Sequence, residues 1–276
     1  MQHRARKRFG QNFLVDEQVV QRLADTIAPR PGQLLIEIGP GQAALTKPLA
    51  ASGAELHLLE IDRDLAAILE HRFRAAENVH LHQADALQVD FAELTGNRRF
   101  RLVGNLPYNI STPLLFHALR WERLIVDMHF MLQQEVVERL AATPGSKAWG
   151  RLSIMCQYHC AVMPLFTVPP EAFRPAPRVQ SAVVRLVPHE KPPVHIRDMR
   201  QFERLVTQAF SMRRKTLRNC LRGLLDADAI AAAGIDPGLR PETLGLAELA
   251  ALAERVDPVP DAGVGPENND NSPGIS

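Results

Sequence analysis

The spacing of apolar residues changes several times along the chain. From Asp16 to Ala28, Val20, Leu23, Ala24 and Ile27 fall on one helical face, and Pro29-Arg30-Pro31-Gly32 closes the stretch. Short apolar runs then alternate with helical segments. Runs at 33–38, 55–59, 79–82, 100–104 and 124–132 read as strands. Helical patterns start at Ala43, cover Asp64–Phe73 and resume at Glu135. This alternation predicts an α/β domain with a parallel sheet covered on both faces. Strands are also expected at 161–168 and 181–187, joined by the proline-rich loop 169–178. After the segment 188–193, the pattern turns helical at 199–210, 216–225, 228–233 and 246–256. The expected organisation is an α/β domain over 1–190, a small helical domain over 191–257 and a disordered tail over 258–276, which is almost without apolar residues.

Composition narrows the class. The 276 residues are 46% hydrophobic and 23% charged, enough for one sizeable core and a smaller one. A net charge of +1 does not by itself point to nucleic acid. Its distribution is more telling: Arg4, Arg6, Lys7 and Arg8 open the chain, and Arg213, Arg214 and Lys215 sit in the helical region. Arg213, Arg214 and Lys215 are therefore candidates for binding RNA phosphates, against the simpler reading of a solvated helix face. Cys156, Cys160 and Cys220 are too few for a disulfide framework. Cys156 and Cys160 flank His159, but no second ligand pair is nearby, so they are expected in the core and no metal is expected. No apolar run approaches the roughly 18 residues of a membrane span, and the basic start has no apolar region behind it. The expected setting is a reducing cytoplasm.

Four candidate groups fall at the carboxyl ends of predicted strands, the edge where open α/β sheets bind ligands. The first is Glu37-Ile38-Gly39-Pro40-Gly41. Its glycines allow close backbone approach, but Ala44 stands where a dinucleotide fingerprint has its third glycine, and no lysine–serine pair is present for a triphosphate. A nucleoside ligand fits better. Glu60 follows about 20 residues on and is placed to accept ribose hydroxyls. Asp85 ends the third strand and can accept from an adenine amino group, or simply cap the turn at Ala86-Leu87. The most specific group is Asn105-Leu106-Pro107-Tyr108. The lone pair of an adenine N6 is delocalised into its ring. Two acceptors, the Asn105 side-chain oxygen and a backbone carbonyl of Leu106 or Pro107, can draw that nitrogen toward tetrahedral geometry. Pro107 stiffens the loop, and Tyr108 can stack on a base. An activated methyl donor needs no general base, so such a site works by orientation and electrostatic placement.

Asn105-Leu106-Pro107-Tyr108 resembles motif IV of amino-methylating enzymes, and Glu37-Ile38-Gly39-Pro40-Gly41 resembles their motif I. With Gln11-Asn12-Phe13-Leu14, the run Gln134–Leu140 and the run Pro169–Pro175, the chain to about Val256 resembles the bacterial small-subunit ribosomal RNA adenine dimethyltransferases. The resemblance implies a Rossmann-like S-adenosylmethionine-dependent methyltransferase sheet with a small C-terminal helical domain. It implies dimethylation of two adjacent adenines in a hairpin loop near the 3′ end of 16S rRNA, in the immature small subunit, by a cytoplasmic monomer with no membrane partner. Residue by residue, it implies cofactor contacts from Asn12, Leu14, Gly39, Glu60, Asp85 and Asn105. It also implies that Phe173 stacks on the flipped base opposite Tyr108. Base flipping suits the chemistry, since N6 is unreachable inside a stack.

Three rivals remain. The related family that methylates large-subunit RNA shares motifs I and IV; the Phe173 loop and Pro241-Glu242-Thr243-Leu244 favour the small-subunit family. DNA adenine methyltransferases use an Asn-Pro-Pro-Tyr-like motif, but Leu106 replaces the first proline. A ribosome-assembly checkpoint with methylation secondary is the third.

Overall fold

The computed structural model describes residues 11–212 and 214–257. The basic start, Arg213 and the segment from 258 onward lie outside the described residues. Seven strands form one sheet in the order β4-β3-β2-β5-β6-β9-β7. These are β2 (Leu34–Ile38), β3 (Glu55–Glu60), β4 (Val79–Gln83), β5 (Phe100–Asn105), β6 (Ile125–Gln133), β7 (Cys160–Val168) and β9 (Ser181–Pro188). The run from β4 to β6 is parallel, while β9 and β7 add on antiparallel. Leu34–Ile38 is buried at every position, as a parallel strand covered on both faces must be.

Two cores fill the two faces. Ile36, Leu102, Phe100 and Phe91 pack on one face with α5 (Ser111–Leu119), and Leu35, Leu56, Val103 and Met131 pack on the other with α1 (Glu17–Ile27). Asp16 caps α1 by accepting from the amides of Gln18 and Val19. α1 ends at Ala28, whose φ of 45° is left-handed and precedes Pro29. A third core holds the C-terminal helices: Phe202 and Leu205 of α8 (Met199–Ala209) against Leu249 and Leu252 of α11 (Leu246–Ala253). It also takes Trp149, Ile154 and Met155 from earlier in the chain, and Trp149 Nε1 donates to Leu244 O at 2.9 Å. The expected helix over 216–225 is cut to Leu217–Cys220, because Gly223 turns the chain at a φ of 82°.

One feature escaped the sequence pattern. Phe13–Leu14 (β1) pairs antiparallel with Phe173–Arg174 (β8) in a separate two-stranded sheet. This ladder lays the N-terminal segment beside the carboxyl ends of the parallel strands. All three cysteines are buried and unpaired, as expected of small apolar residues.

Candidate active site

A cavity of ≈ 220 Å³ opens at the carboxyl ends of β2, β3, β4 and β5. It is lined by Asn12, Leu14, Gly39, Glu60, Asp85 and Asn105, among others. Six residues from five separate stretches of sequence therefore converge on one space.

The turn after β2 is the floor. Gly39 and Gly41 have φ values of 64° and 55°, a region disfavoured for side chains. A Cβ on Gly41 would come within 3.0 Å of the Phe13 ring, so the N-terminal segment closes down only over glycine. Gly39 N donates to Leu59 O at 2.9 Å, tying the turn to β3. Glu60 ends β3 and is 3% exposed. Its Oε2 accepts from Gly41 N at 3.2 Å and its Oε1 from Asp62 N at 2.9 Å. Two amides thus aim the carboxylate, while burial pushes its pKa upward.

Glu37 had been read only as part of a motif. It is 2% exposed, it lines the cavity, and its Oε2 has no hydrogen-bond partner among the described residues. Burial, only partly offset by the nearby Thr46 hydroxyl and reinforced by the charge of Glu60, raises its pKa to about 8. Asp85 Oδ1 accepts from Leu87 N at 3.0 Å, the turn-capping role considered above, and its side chain also borders the cavity. The other residue missed is Ile61, which is 48% exposed at the cavity wall. An apolar side chain directly after a strand-end acid was the available signal.

At the end of β5, Asn105 Nδ2 donates to Asn12 O at 3.0 Å. The amide group is thereby anchored, and Oδ1 remains as the acceptor. Leu106 N donates to Met131 O at 3.1 Å, and Pro107 O accepts from Ile110 N at 3.1 Å. Tyr108 OH lies 3.0 Å from Ser181 Oγ on β9. Phe173 is placed differently from the expectation. It is 1% exposed, paired with Leu14 and packed in the α1-side core, and it does not line the cavity. Turning it out would forfeit roughly 1.5–3 kcal/mol of apolar burial. In this structure it supports the ladder next to Asn12. Arg178 and Val179 are exposed next to Ser181 instead.

The chemistry of the wall favours a cation. Among the described residues that line it, Glu37, Glu60 and Asp85 are the acids, and there is no lysine, arginine or histidine. Pyrophosphate ligands would find no countercharge there. A nucleoside carrying positive charge finds ribose, amine and ammonium acceptors, which is the profile of S-adenosylmethionine.

The family model described as ribosomal RNA adenine dimethylase matches residues 2–256. The chain belongs to this family. Its members use S-adenosylmethionine to dimethylate adenine in ribosomal RNA, and this chain is such a methyltransferase. A Pseudomonas putida relative named ribosomal RNA small subunit methyltransferase A is 57% identical over 256 residues, 92% of this chain and 96% of that protein. The Pseudomonas aeruginosa protein of the same name is 56% identical over 260 residues, 94% of this chain and 97% of that protein. Among solved structures, the 23S rRNA methyltransferase ErmE aligns with a TM-score of 0.69 at 26% identity, covering 90% of this chain and all of that one. A dimethyladenosine transferase from Plasmodium falciparum aligns with a TM-score of 0.74 at 21% identity, covering 87% of this chain and 95% of that one, and it supports the fold. No described helix is long and apolar enough to cross a membrane.

Proposed function

We propose that this methyltransferase acts on small-subunit ribosomal RNA, dimethylating N6 of two adjacent adenines in a hairpin loop near the 3′ end of 16S rRNA. The 57% identity to proteins named for the small subunit, against 26% to a large-subunit enzyme, supports the choice of subunit. The substrate is the immature subunit and the enzyme works as a monomer in the cytoplasm.

The anchoring of Asn105 by Asn12 carries the mechanism. Bound S-adenosylmethionine supplies a methyl group on a sulfonium. Glu60 would hold the ribose, Asp85 the adenine amine, and Glu37 would meet the methionine ammonium. Asn105 Oδ1 accepts one N6 hydrogen of the target. Leu106 O accepts the other, since Pro107 O is already engaged by Ile110 N. Both acceptors bind more tightly as N6 becomes tetrahedral, so they favour the transition state over the ground state. Tyr108, fixed by Ser181, stacks on the flipped base. The N6 proton leaves to solvent after transfer.

Asn105→Ala is expected to slow single-turnover methylation of immature subunits by about 10²–10³, the loss typical of one oriented polar partner. Cofactor affinity measured by calorimetry should stay close to that of the parent. Methyl transfer within a few-fold of the parent rate would sink the mechanism while leaving the family intact. Arg213, Arg214 and Lys215 are proposed to bind RNA phosphates. Arg214 and Lys215 are exposed and form no ion pair among the described residues. Replacing the three by Gln should lower the slope of log K against log salt by about 2, at roughly 0.7 per charge. An unchanged slope would return the cluster to a solvated surface.

A further inference from the structure

Away from the cleft, the other end of β3 carries a group of side chains that methyl transfer does not use. In the parallel pairing of β3 with β4, His57 lies opposite His80. Alternate residues share a face, so Glu55 and His57 on β3 stand with His80 and His82 on β4. The rings of His57 and His80 are 4.9 Å apart, and those of His57 and His82 stack at 5.1 Å. One ligand atom each from Glu55, His57 and His80 lies within 4.8 Å of the others.

We propose that Glu55, His57 and His80 form a binding site for a divalent transition cation of the Zn²⁺ type, with His82 as the group that orients His57. Two imidazoles and one carboxylate are a donor set that suits such ions. A tetrahedral ion would take these three ligands and complete its shell with water.

The hydrogen bonds show how the ion enters. His57 Nε2 lies 3.1 Å from Glu55 Oε1, so its N–H donates to the carboxylate. His57 Nδ1 lies 3.1 Å from His82 Nε2 and accepts from it. The cation replaces the proton between Glu55 and His57. That proton moves to Nδ1 of His57, which then donates to Nε2 of His82. The proton on His82 shifts to its own Nδ1, so no net proton is released. A ligating histidine that donates through its second nitrogen is the usual supporting arrangement around a metal. His57 is 7% exposed and held in place, whereas His80 is exposed on an edge strand and can close the remaining gap by changing rotamer.

One group opposes the ion. Arg98 donates to both Glu55 oxygens at 2.7 Å. Its guanidinium competes for the carboxylate and repels a cation. The site should therefore be of intermediate affinity, and removing Arg98 should tighten it. An ion there would tie edge strand β4 to β3, five residues before Asp85 and three before Glu60.

The test is titration of the full chain with Zn²⁺ by calorimetry, and with Co²⁺ by visible absorption. The expected result is one equivalent bound, with Co²⁺ bands of a tetrahedral nitrogen–oxygen set. His80→Ala should abolish the bands; because His80 is exposed, the variant keeps its fold. His82→Gln should weaken binding by about 10–100-fold, the usual loss for a supporting partner. Glu55→Gln should weaken it, and Arg98→Gln should strengthen it. Absence of binding in the parent chain, or His80→Ala binding Co²⁺ with unchanged bands, would overturn the proposal.

Discussion

At the carboxyl ends of β2 and β3, Glu37 and Glu60 are buried with no basic residue beside them, and both are harder to ionise than ordinary glutamates. At the amino ends of the same sheet, Glu55 and Asp127 are each gripped by arginine. Arg98 meets Glu55 at 2.7 Å and, by that hydrogen bond above all, holds its pKa at about 2. Asp127 on β6 accepts from Arg101 at 2.7 and 3.1 Å and from Arg185 at 3.0 Å. Burial alone would raise Asp127. His129, 3.6 Å away, and the Arg101 guanidinium reverse that and hold it well below the usual range. The frame pairs its acids within the protein, while the cleft holds acids whose ionised forms have no basic partner. A cationic ligand favours those ionised forms, so its binding and the ionisation of the cleft acids support each other.

The largest expected effect follows from breaking the frame. Arg101 and Asp127 side chains are 8% and 3% exposed. Arg101→Met leaves Asp127 buried with Arg185 and His129 beside it. Removing one partner of a buried pair costs about 3–5 kcal/mol. Urea unfolding should show a loss of this order, toward its lower end because Arg185 remains, with cofactor affinity unchanged. A loss below about 1 kcal/mol, the range of surface pairs, would mean that the frame does not depend on this clamp.

The second effect concerns Glu37. Its carboxyl ionises near 4.5 in an unfolded chain and near 8 when folded. Between those values the folded chain holds the extra proton, so raising pH favours unfolding. The stability contribution is fully present below about 4.5 and is lost as pH rises through about 8. The slope across this window approaches about 1.4 kcal/mol per pH unit as an upper limit. Glu37→Gln should flatten the stability profile of the cofactor-free protein between these limits. If parent and variant profiles run parallel from acid to neutral pH, Glu37 is not the buried acid described here.

The contrast between frame and cleft also marks what the sequence could reveal. Buried parallel strands read as mostly apolar runs, so Glu60 and Asn105 announced themselves by ending such runs, while Asp85 follows the alternating edge strand Val79–Gln83. The fold class followed from the same alternation. The burial of Phe173 depends on pairing with Leu14, a long-range contact of a two-residue strand that leaves no period in the sequence. The stacking role expected of it rests on the family resemblance and on no local pattern. Glu37 was visible as a letter in a motif, but its missing partner is a property of the space around it. The same holds for His57, His80 and His82, whose adjacency depends on strand register. Arg101 and Asp127 are separated by most of a helical crossover, so their pairing appeared only with the sheet.

The smallest effect is the mirror image of the first. Glu60 supports the cleft and not the frame, so Glu60→Ala should change binding while sparing stability. Its two oxygens accept from Gly41 N and Asp62 N, and those bonds are lost on truncation. Each ordinary bond contributes about 0.5–1.5 kcal/mol net. Against that loss, truncation removes a buried carboxylate whose ionised form is disfavoured by its surroundings. The two contributions oppose each other, so the urea midpoint of the cofactor-free protein should move little. The ribose hydroxyls have no such compensation: they lose a charged acceptor, worth about 1.5–3 kcal/mol, or roughly 10–150-fold in Kd. Calorimetric titration with S-adenosylmethionine measures the second quantity and urea unfolding the first, on the same sample. If Glu60→Ala unfolds as readily as Arg101→Met and binds cofactor like the parent, the division between a self-satisfied frame and an unsatisfied cleft is wrong at its central residue.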